Sequence, residues 1–310
     1  MMNLPEAIQS IDVSIYTWLG GFAGNWVLDR LASHEEGNPI FKGGLVVAVY
    51  WFSWFRIGSD RTRSRRVIVT AVIGALVAVI VDRTISFVVP FRVRPMFDPA
   101  VTHPPYSIPI TANLESWSGF PSDTASFFFA LAFGTCYLFR RLAIPIMFYV
   151  AGWICLPRMY LGIHYASDIV AGAAIGVATV LVLLSNKWLQ STVVGRIVAF
   201  EKTSAPWFYA IAFLVSFEMA SLFTDIRNVG RAVLHLAVSG VRHGFTHGDT
   251  EALTAYLGAT CFVLILCLVT RYVSAWYRKP PRLNVVPEDS GRRKSTRKWL
   301  ASGWLWSQNR

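Results

Sequence analysis

The feature that most constrains this chain is a series of apolar windows, each about the length of a membrane-crossing helix. A bilayer core of about 30 Å needs about 20 predominantly apolar residues of helix. Windows of that kind fall near residues 39–57, 67–91, 120–139, 142–160, 166–186, 205–223 and 252–273. The expected fold is therefore all-α, a polytopic membrane helix bundle of about seven transmembrane helices. Composition agrees, since only 15% of the 310 residues are charged and 54% are apolar. A soluble domain carries about 25% charged residues. Residues 1–35 are mixed in polarity and read as N-terminal interfacial helices lying on the membrane. A weak eighth span there is the alternative, interrupted by Asp29, Arg30 and the Glu35–Glu36 pair. The chain then divides into a membrane core at 36–190, two further spans with an outer loop at 191–275, and a basic tail at 276–310.

The net charge of +11 would ordinarily raise nucleic-acid binding, so the placement of the charges decides. Arg56, Arg61, Arg63, Arg65 and Arg66 crowd one short segment, Arg140–Arg141 form another, and Lys187, Arg196 and Lys202 a third. Residues 271–310 carry ten Lys and Arg against Glu288 and Asp289. With seven spans, all four segments fall on one face, which the positive-inside rule makes cytoplasmic. The charge thus reports topology, and no nucleic-acid partner is expected. The expected location is the plasma (inner) membrane, with the tail cytoplasmic and loops 92–119, 161–165 and 224–251 on the outer, periplasmic face. Membrane lipids are the expected surroundings, and the basic tail suits anionic lipid headgroups.

Other signals carry less. Cys136, Cys155, Cys261 and Cys267 lie inside apolar runs without zinc-site spacing, as buried small residues do. The start, Met1 to Glu6, has no basic n-region or apolar core of a signal peptide. His243 and His247 stand four apart near Asp249 and Glu251, but Gly244 and Gly248 work against a rigid metal site. Glu218 lies inside the sixth span and reads as a local packing or pairing group.

Charged residues beside a membrane span are functional candidates by default. Three clusters qualify, and the topology sets them in one outer layer. Asp82–Arg83 with Arg92 and Arg94–Pro95 ends the second span. Phe120–Pro121–Ser122–Asp123–Thr124 opens the third. Arg158, His164 and Asp168 lie between the fourth and fifth. Arginine offers a planar fork matched to phosphate oxygens, and a helix start leaves N–H groups ready for an anion. On a helix, His164 and Asp168 would share a face, letting the carboxylate fix the imidazole tautomer and free its other nitrogen to attack. Each cluster alone has a plain structural reading; their convergence suits a phosphate ester.

At these residues the sequence resembles the type 2 phosphatidic acid phosphatase superfamily, the lipid phosphatase and vanadium haloperoxidase-like proteins. Its signature is Lys-x6-Arg-Pro, Pro-Ser-Gly-His and Ser-Arg-x5-His-x3-Asp. Here the third part reads Pro157–Arg158-x5-His164-x3-Asp168, the first survives as Arg94–Pro95, and the second as Pro121–Ser122. The resemblance covers roughly residues 10–186. It implies His164 as the nucleophile forming a phosphohistidine, Asp168 as its orienting partner, and Arg94 and Arg158 as phosphate ligands. Ser122 and neighbouring N–H groups would complete the cradle, with Arg92 as companion. No metal and no cofactor are expected.

Two departures stand out. The family lysine position is Phe87 here; seven residues are two helical turns, so that position is expected to share a face with Arg94, and Arg83, one turn deeper, either substitutes for it or pairs with a nearby carboxylate such as Asp82. The family's acid histidine is Thr124, and threonine delivers no proton near neutral pH. Asp123, in the glycine position, and His103, in the outer loop, are candidate substitutes. The simpler reading is that the leaving group needs little help: a diphosphate expels phosphate, which leaves far more readily than a lipid alkoxide.

The resemblance therefore implies a hydrolase acting on a polyprenyl diphosphate, undecaprenyl diphosphate among them, or a related lipid phosphate of the cell envelope. Two other readings stand beside it: a phosphotransferase with a glycan or lipid acceptor, and a catalytically weakened protein that binds or transports a lipid phosphate. The apolar spans specify neither the lipid chain nor an oligomeric state.

Overall fold

The computed structural model describes residues 5–56, 60–102, 104, 106 and 117–222, all within one unit, Met1–Arg231. His103, the window at 252–273, loop 224–251 with its histidines, Cys261, Cys267 and the tail lie outside the described residues. Among the described residues every regular element is a helix. In chain order they are α1 (Glu6–Gly20), α2 (Trp26–Gly37), α3 (Ile40–Phe55), α4 (Arg61–Val88), α5 (Asp123–Leu138), α6 (Arg140–Tyr160), α7 (Ala166–Ser185), α8 (187–203) and α9 (Ala205–Ala220). A short 3₁₀ turn, Pro95–Phe97, lies between α4 and α5.

Three helices, α4, α6 and α7, are long and apolar enough to cross a membrane, and α3, α5 and α9 are shorter apolar helices. Their positions follow six of the seven apolar windows. Large apolar side chains such as Ile80, Ile144, Phe148, Val182 and Phe213 face outward, as lipid-facing residues do. Segment 187–203, read from sequence only as a charged turn, is helical, and its Glu201 pairs with Arg65 at the start of α4.

The centre of the bundle is the trio α4, α5 and α7. Ala71, Ala75 and Ala78 of α4, Phe127, Phe128, Ala130 and Leu131 of α5, and Val180 of α7 have no exposed surface. Between apolar helices in lipid there is little hydrophobic drive, so association depends on close backbone approach at small residues. Gly172 and Gly176 of α7 supply it: a Cβ at these positions would fall on the carbonyl oxygens of Ser122 and Ser126 of α5. This contact locks the start of α5 beside the start of α7, where two of the three polar clusters lie.

The connection after α4 is set by proline. Pro90 ends the helix, leaving Val89 extended (φ −81°, ψ 155°), and Pro95 holds Arg94 extended as well (φ −77°, ψ 149°). The expected two-turn helical relation between positions 87 and 94 therefore does not exist. Phe87 is 83% exposed and points away from the polar cluster.

Candidate active site

Three loops meet at the end of the bundle where α4 stops and α5 and α7 begin. Residues 92–94 bond to 117–119, with the Gly119 N–H donating to the Arg92 carbonyl at 2.9 Å. Residues 161–165 close the third side, where the Met96 N–H donates to the Gly162 carbonyl at 2.9 Å. Gly162 has φ +70°, a left-handed turn that glycine adopts without strain. It brings His164 back toward Arg94.

His164 is 1% exposed. Its Nδ1 lies 2.8 Å from the Gly119 carbonyl oxygen and 3.8 Å from Asp168 Oδ2. A carbonyl only accepts, so Nδ1 carries the proton and Nε2 keeps its lone pair. Arg94 Nη1 faces that lone pair at 3.4 Å. Burial pushes the imidazole pKa below its usual 6.5; Asp168 opposes this, while Arg94 and Arg158 add to it. The ring is thus a neutral base whose unprotonated nitrogen faces Arg94.

The tautomer is fixed chiefly by a backbone carbonyl, not by the carboxylate four residues on. His164 precedes α7, whose N-cap is Tyr165, so the His164–Asp168 relation is not the helical one the spacing suggested. Asp168 instead closes a capping box, accepting the Tyr165 N–H at 2.8 Å. Its other oxygen receives Arg92.

Arg94 is 5% exposed and donates to backbone carbonyls: Ile163 at 2.8 Å, Ser118 at 3.2 Å and Trp117 at 3.2 Å. Among the described residues no carboxylate forms an ion pair with it. Burial, then the neighbouring Arg158 charge, pushes its pKa down to about 10, so it remains cationic at neutral pH. Arg158, on the last turn of α6, is buried, and its charge acts on both His164 and Arg94.

The remaining candidates divide clearly. Ser122 is the N-cap of α5: its Oγ accepts the Ala125 N–H at 3.4 Å and its own N–H donates to the Asp168 carbonyl at 3.2 Å. Both groups are thus engaged inside the protein. Asp123 pairs with Arg83, whose guanidinium lies over the Trp117 ring. Arg83 therefore takes a carboxylate partner, but Asp123 rather than its neighbour Asp82, which accepts the Ser126 hydroxyl. Thr124 is fully buried beside Asp123. Among the described residues no cluster of three or more His, Cys, Asp or Glu could hold a metal.

One participant was missed in the sequence. Asp12 of α1, 2% exposed, bonds Arg92 Nη2 at 2.6 Å and both the N–H and hydroxyl of Ser167, at 2.9 and 2.6 Å. It shares the buried face of α1 with Tyr16 and Leu19. An acid on that apolar stripe was the available signal.

One loop with Arg92 and Arg94 and the last turn of α6 with Arg158 thus lie around His164, beside the start of α5. Residues 85–191 of the 310 match the model of the PAP2 superfamily. A curated relative is the bacitracin transport permease protein BcrC of Bacillus licheniformis, 28% identical over 137 residues. That alignment covers 44% of this chain and 61% of the relative's length. No solved structure matches the chain.

Proposed function

We propose that this protein is a membrane lipid-phosphate phosphatase that hydrolyses a polyprenyl diphosphate or related lipid phosphate through a phosphohistidine. The observation that carries the reading is the state of His164: Nδ1–H bonded to Gly119, an unprotonated Nε2 facing Arg94 Nη1 at 3.4 Å, and the Arg94 and Arg158 charges acting on the ring. Nε2 attacks the terminal phosphorus, and the bond from phosphorus to the bridging oxygen breaks. Arg94 and Arg158 stabilise the charge on the transferring phosphoryl oxygens. Water then attacks the phosphohistidine, releasing inorganic phosphate and returning the electron pair to Nε2.

The Arg83–Asp123 pair supports a diphosphate over a monoester. Both Asp123 carboxylate oxygens are engaged inside the protein, Oδ2 by Arg83 and Oδ1 by the Thr124 N–H at 2.8 Å, so neither is offered to a leaving group. A leaving phosphate does not need a proton donor. The proposed setting is a plasma-membrane core at 36–190, with α1 and α2 at the interface and the site on the outer face.

The test offers polyprenyl diphosphate labelled at the terminal phosphorus to the purified wild type and to His164→Ala. Wild type releases labelled inorganic phosphate and His164→Ala does not. Label passing to a glycan or lipid acceptor would make the protein a phosphotransferase, and unreacted bound substrate in both proteins would make it a binding protein. Faster cleavage of a lipid phosphate monoester than of the diphosphate would refute the substrate assignment.

A further inference from the structure

Arg92 sits at the centre of the polar layer yet points both arms at carboxylates. Nη1 reaches Asp168 and, at 2.7 Å, the Ser167 hydroxyl, while Nη2 reaches Asp12 at 2.6 Å. The guanidinium also lies over the Tyr165 ring, with Cζ 4.7 Å from its centroid. Asp12, Arg92 and Asp168 are all at least 93% buried. Buried charges persist only when paired and hydrogen-bonded, and here the order is carboxylate, guanidinium, carboxylate.

We infer that Asp12, on α1 and upstream of the matched segment 85–191, is a positioning residue of the phosphate site. It draws one arm of Arg92 away from the anion and holds the other on Asp168, leaving Arg94 and Arg158 to take the phosphate. Arg92, expected from sequence to bind phosphate, is by this inference a clamp. Asp12 also sets the charge of the site. Its carboxylate is one of those set among Arg83, Arg92, Arg94 and Arg158. Without the Asp12 charge the layer becomes more positive by one unit.

The two roles separate Asp12 from a residue that merely anchors α1. Asp12→Asn keeps the shape and one acceptor for Ser167 but removes the charge. Arg92 is then left to Asp168 alone, which pulls that carboxylate off its capping position and disturbs the loop holding His164. Turnover should fall by about tenfold or more, as it does when reacting groups shift by a fraction of an ångström. Inorganic phosphate should bind more tightly, by about threefold or more, because the site gains a net positive charge. A loosened anchor would weaken both.

The experiment uses the purified full chain. Titration calorimetry with inorganic phosphate, and kcat and KM with polyprenyl diphosphate, are measured for wild type, Asp12→Asn, Arg92→Gln and the double variant. The expected result is a fall in kcat without a rise in KM, tighter phosphate binding in Asp12→Asn, and a double variant no worse than Arg92→Gln, since coupled residues are non-additive. Weaker phosphate binding in Asp12→Asn, or additive losses in the double variant, would overturn the inference. Should Asp12→Asn not fold, Asp12→Glu carries the test: retaining the charge, it retains wild-type phosphate affinity, and a loss of affinity counts against the inference. The kinetic half rests on the proposed phosphatase reading and the binding half does not. A wild type that turns over no lipid phosphate, with phosphate binding tightened by Asp12→Asn, would refute the phosphatase reading and leave the role of Asp12 standing.

Discussion

Replacing Gly176 by alanine tests whether the contact between α5 and α7 sets the catalytic geometry. Gly176 lies about two turns along α7 from Asp168 and touches no proposed catalytic group. A Cβ there would stand 2.9 Å from the Ser126 carbonyl carbon and 3.0 Å from the Ala130 nitrogen, and closer still to the Ser126 oxygen. Ordinary van der Waals contact begins at 3.4 Å. The contact with the Ser126 oxygen sets the separation, so the two helices must part by about 1 Å, and the atoms in the way are backbone that cannot swing aside. Overpacking of this kind costs about 1–3 kcal/mol. The better helix propensity of alanine returns about 0.5–1 kcal/mol, leaving a net loss of about 1–2 kcal/mol. The same separation moves Ser122 and Asp123 relative to His164. Displacements near 1 Å cost about a hundredfold in rate, so a fall of about tenfold to a hundredfold is expected. Gly152→Ala is the matched control, since a Cβ there meets nothing within 4 Å. Melting temperature in detergent and phosphate release from polyprenyl diphosphate are measured on both variants. Wild-type melting and turnover in Gly176→Ala would refute the idea that this contact fixes the site.

Two further outcomes follow from the charges. His164 is neutral in the folded protein with a pKa below 6.5, so between that value and 6.5 the unfolded chain binds the extra proton. Stability is therefore fully present above pH 6.5 and is lost as pH falls toward the folded pKa; His164→Gln should flatten that part of the melting-temperature curve. At the far end of α4, Arg65 and Glu201 form a pair with side chains 6% and 11% exposed. Arg65→Met alone should cost about 3–5 kcal/mol by stranding a buried carboxylate, while Arg65→Met with Glu201→Leu should recover most of it. A single variant that melts within a degree of wild type would show that the pair is solvated.

What the sequence made legible was local. Apolar windows were enough to locate six helices, because a lipid-facing helix needs no partner to declare itself. Ser122 as a helix cap and the Arg158–His164 spacing were equally readable. Position 87 was misjudged because a seven-residue spacing was treated as helical across Pro90, which ends α4. The acceptor of His164 was hidden for a different reason: Gly119 contributes a backbone carbonyl, and no residue type marks one. Asp12 stood on a readable stripe with Tyr16 and Leu19, but its partner is 80 residues away. Helix 187–203 was obscured by charges that pair inward, Glu201 with Arg65, instead of facing water.

The carbonyl cage around Arg94 has a consequence for how the site can evolve. Three acceptors on two different loops, Trp117 and Ser118 on one and Ile163 on the other, converge on a single guanidinium. The side chain is a rivet as well as a reagent. A lysine would keep the charge but has no rigid fork to span both loops, so the conservative exchange should loosen the seam that the chemistry depends on. A position bound to two duties at once tolerates fewer exchanges than one with a single duty.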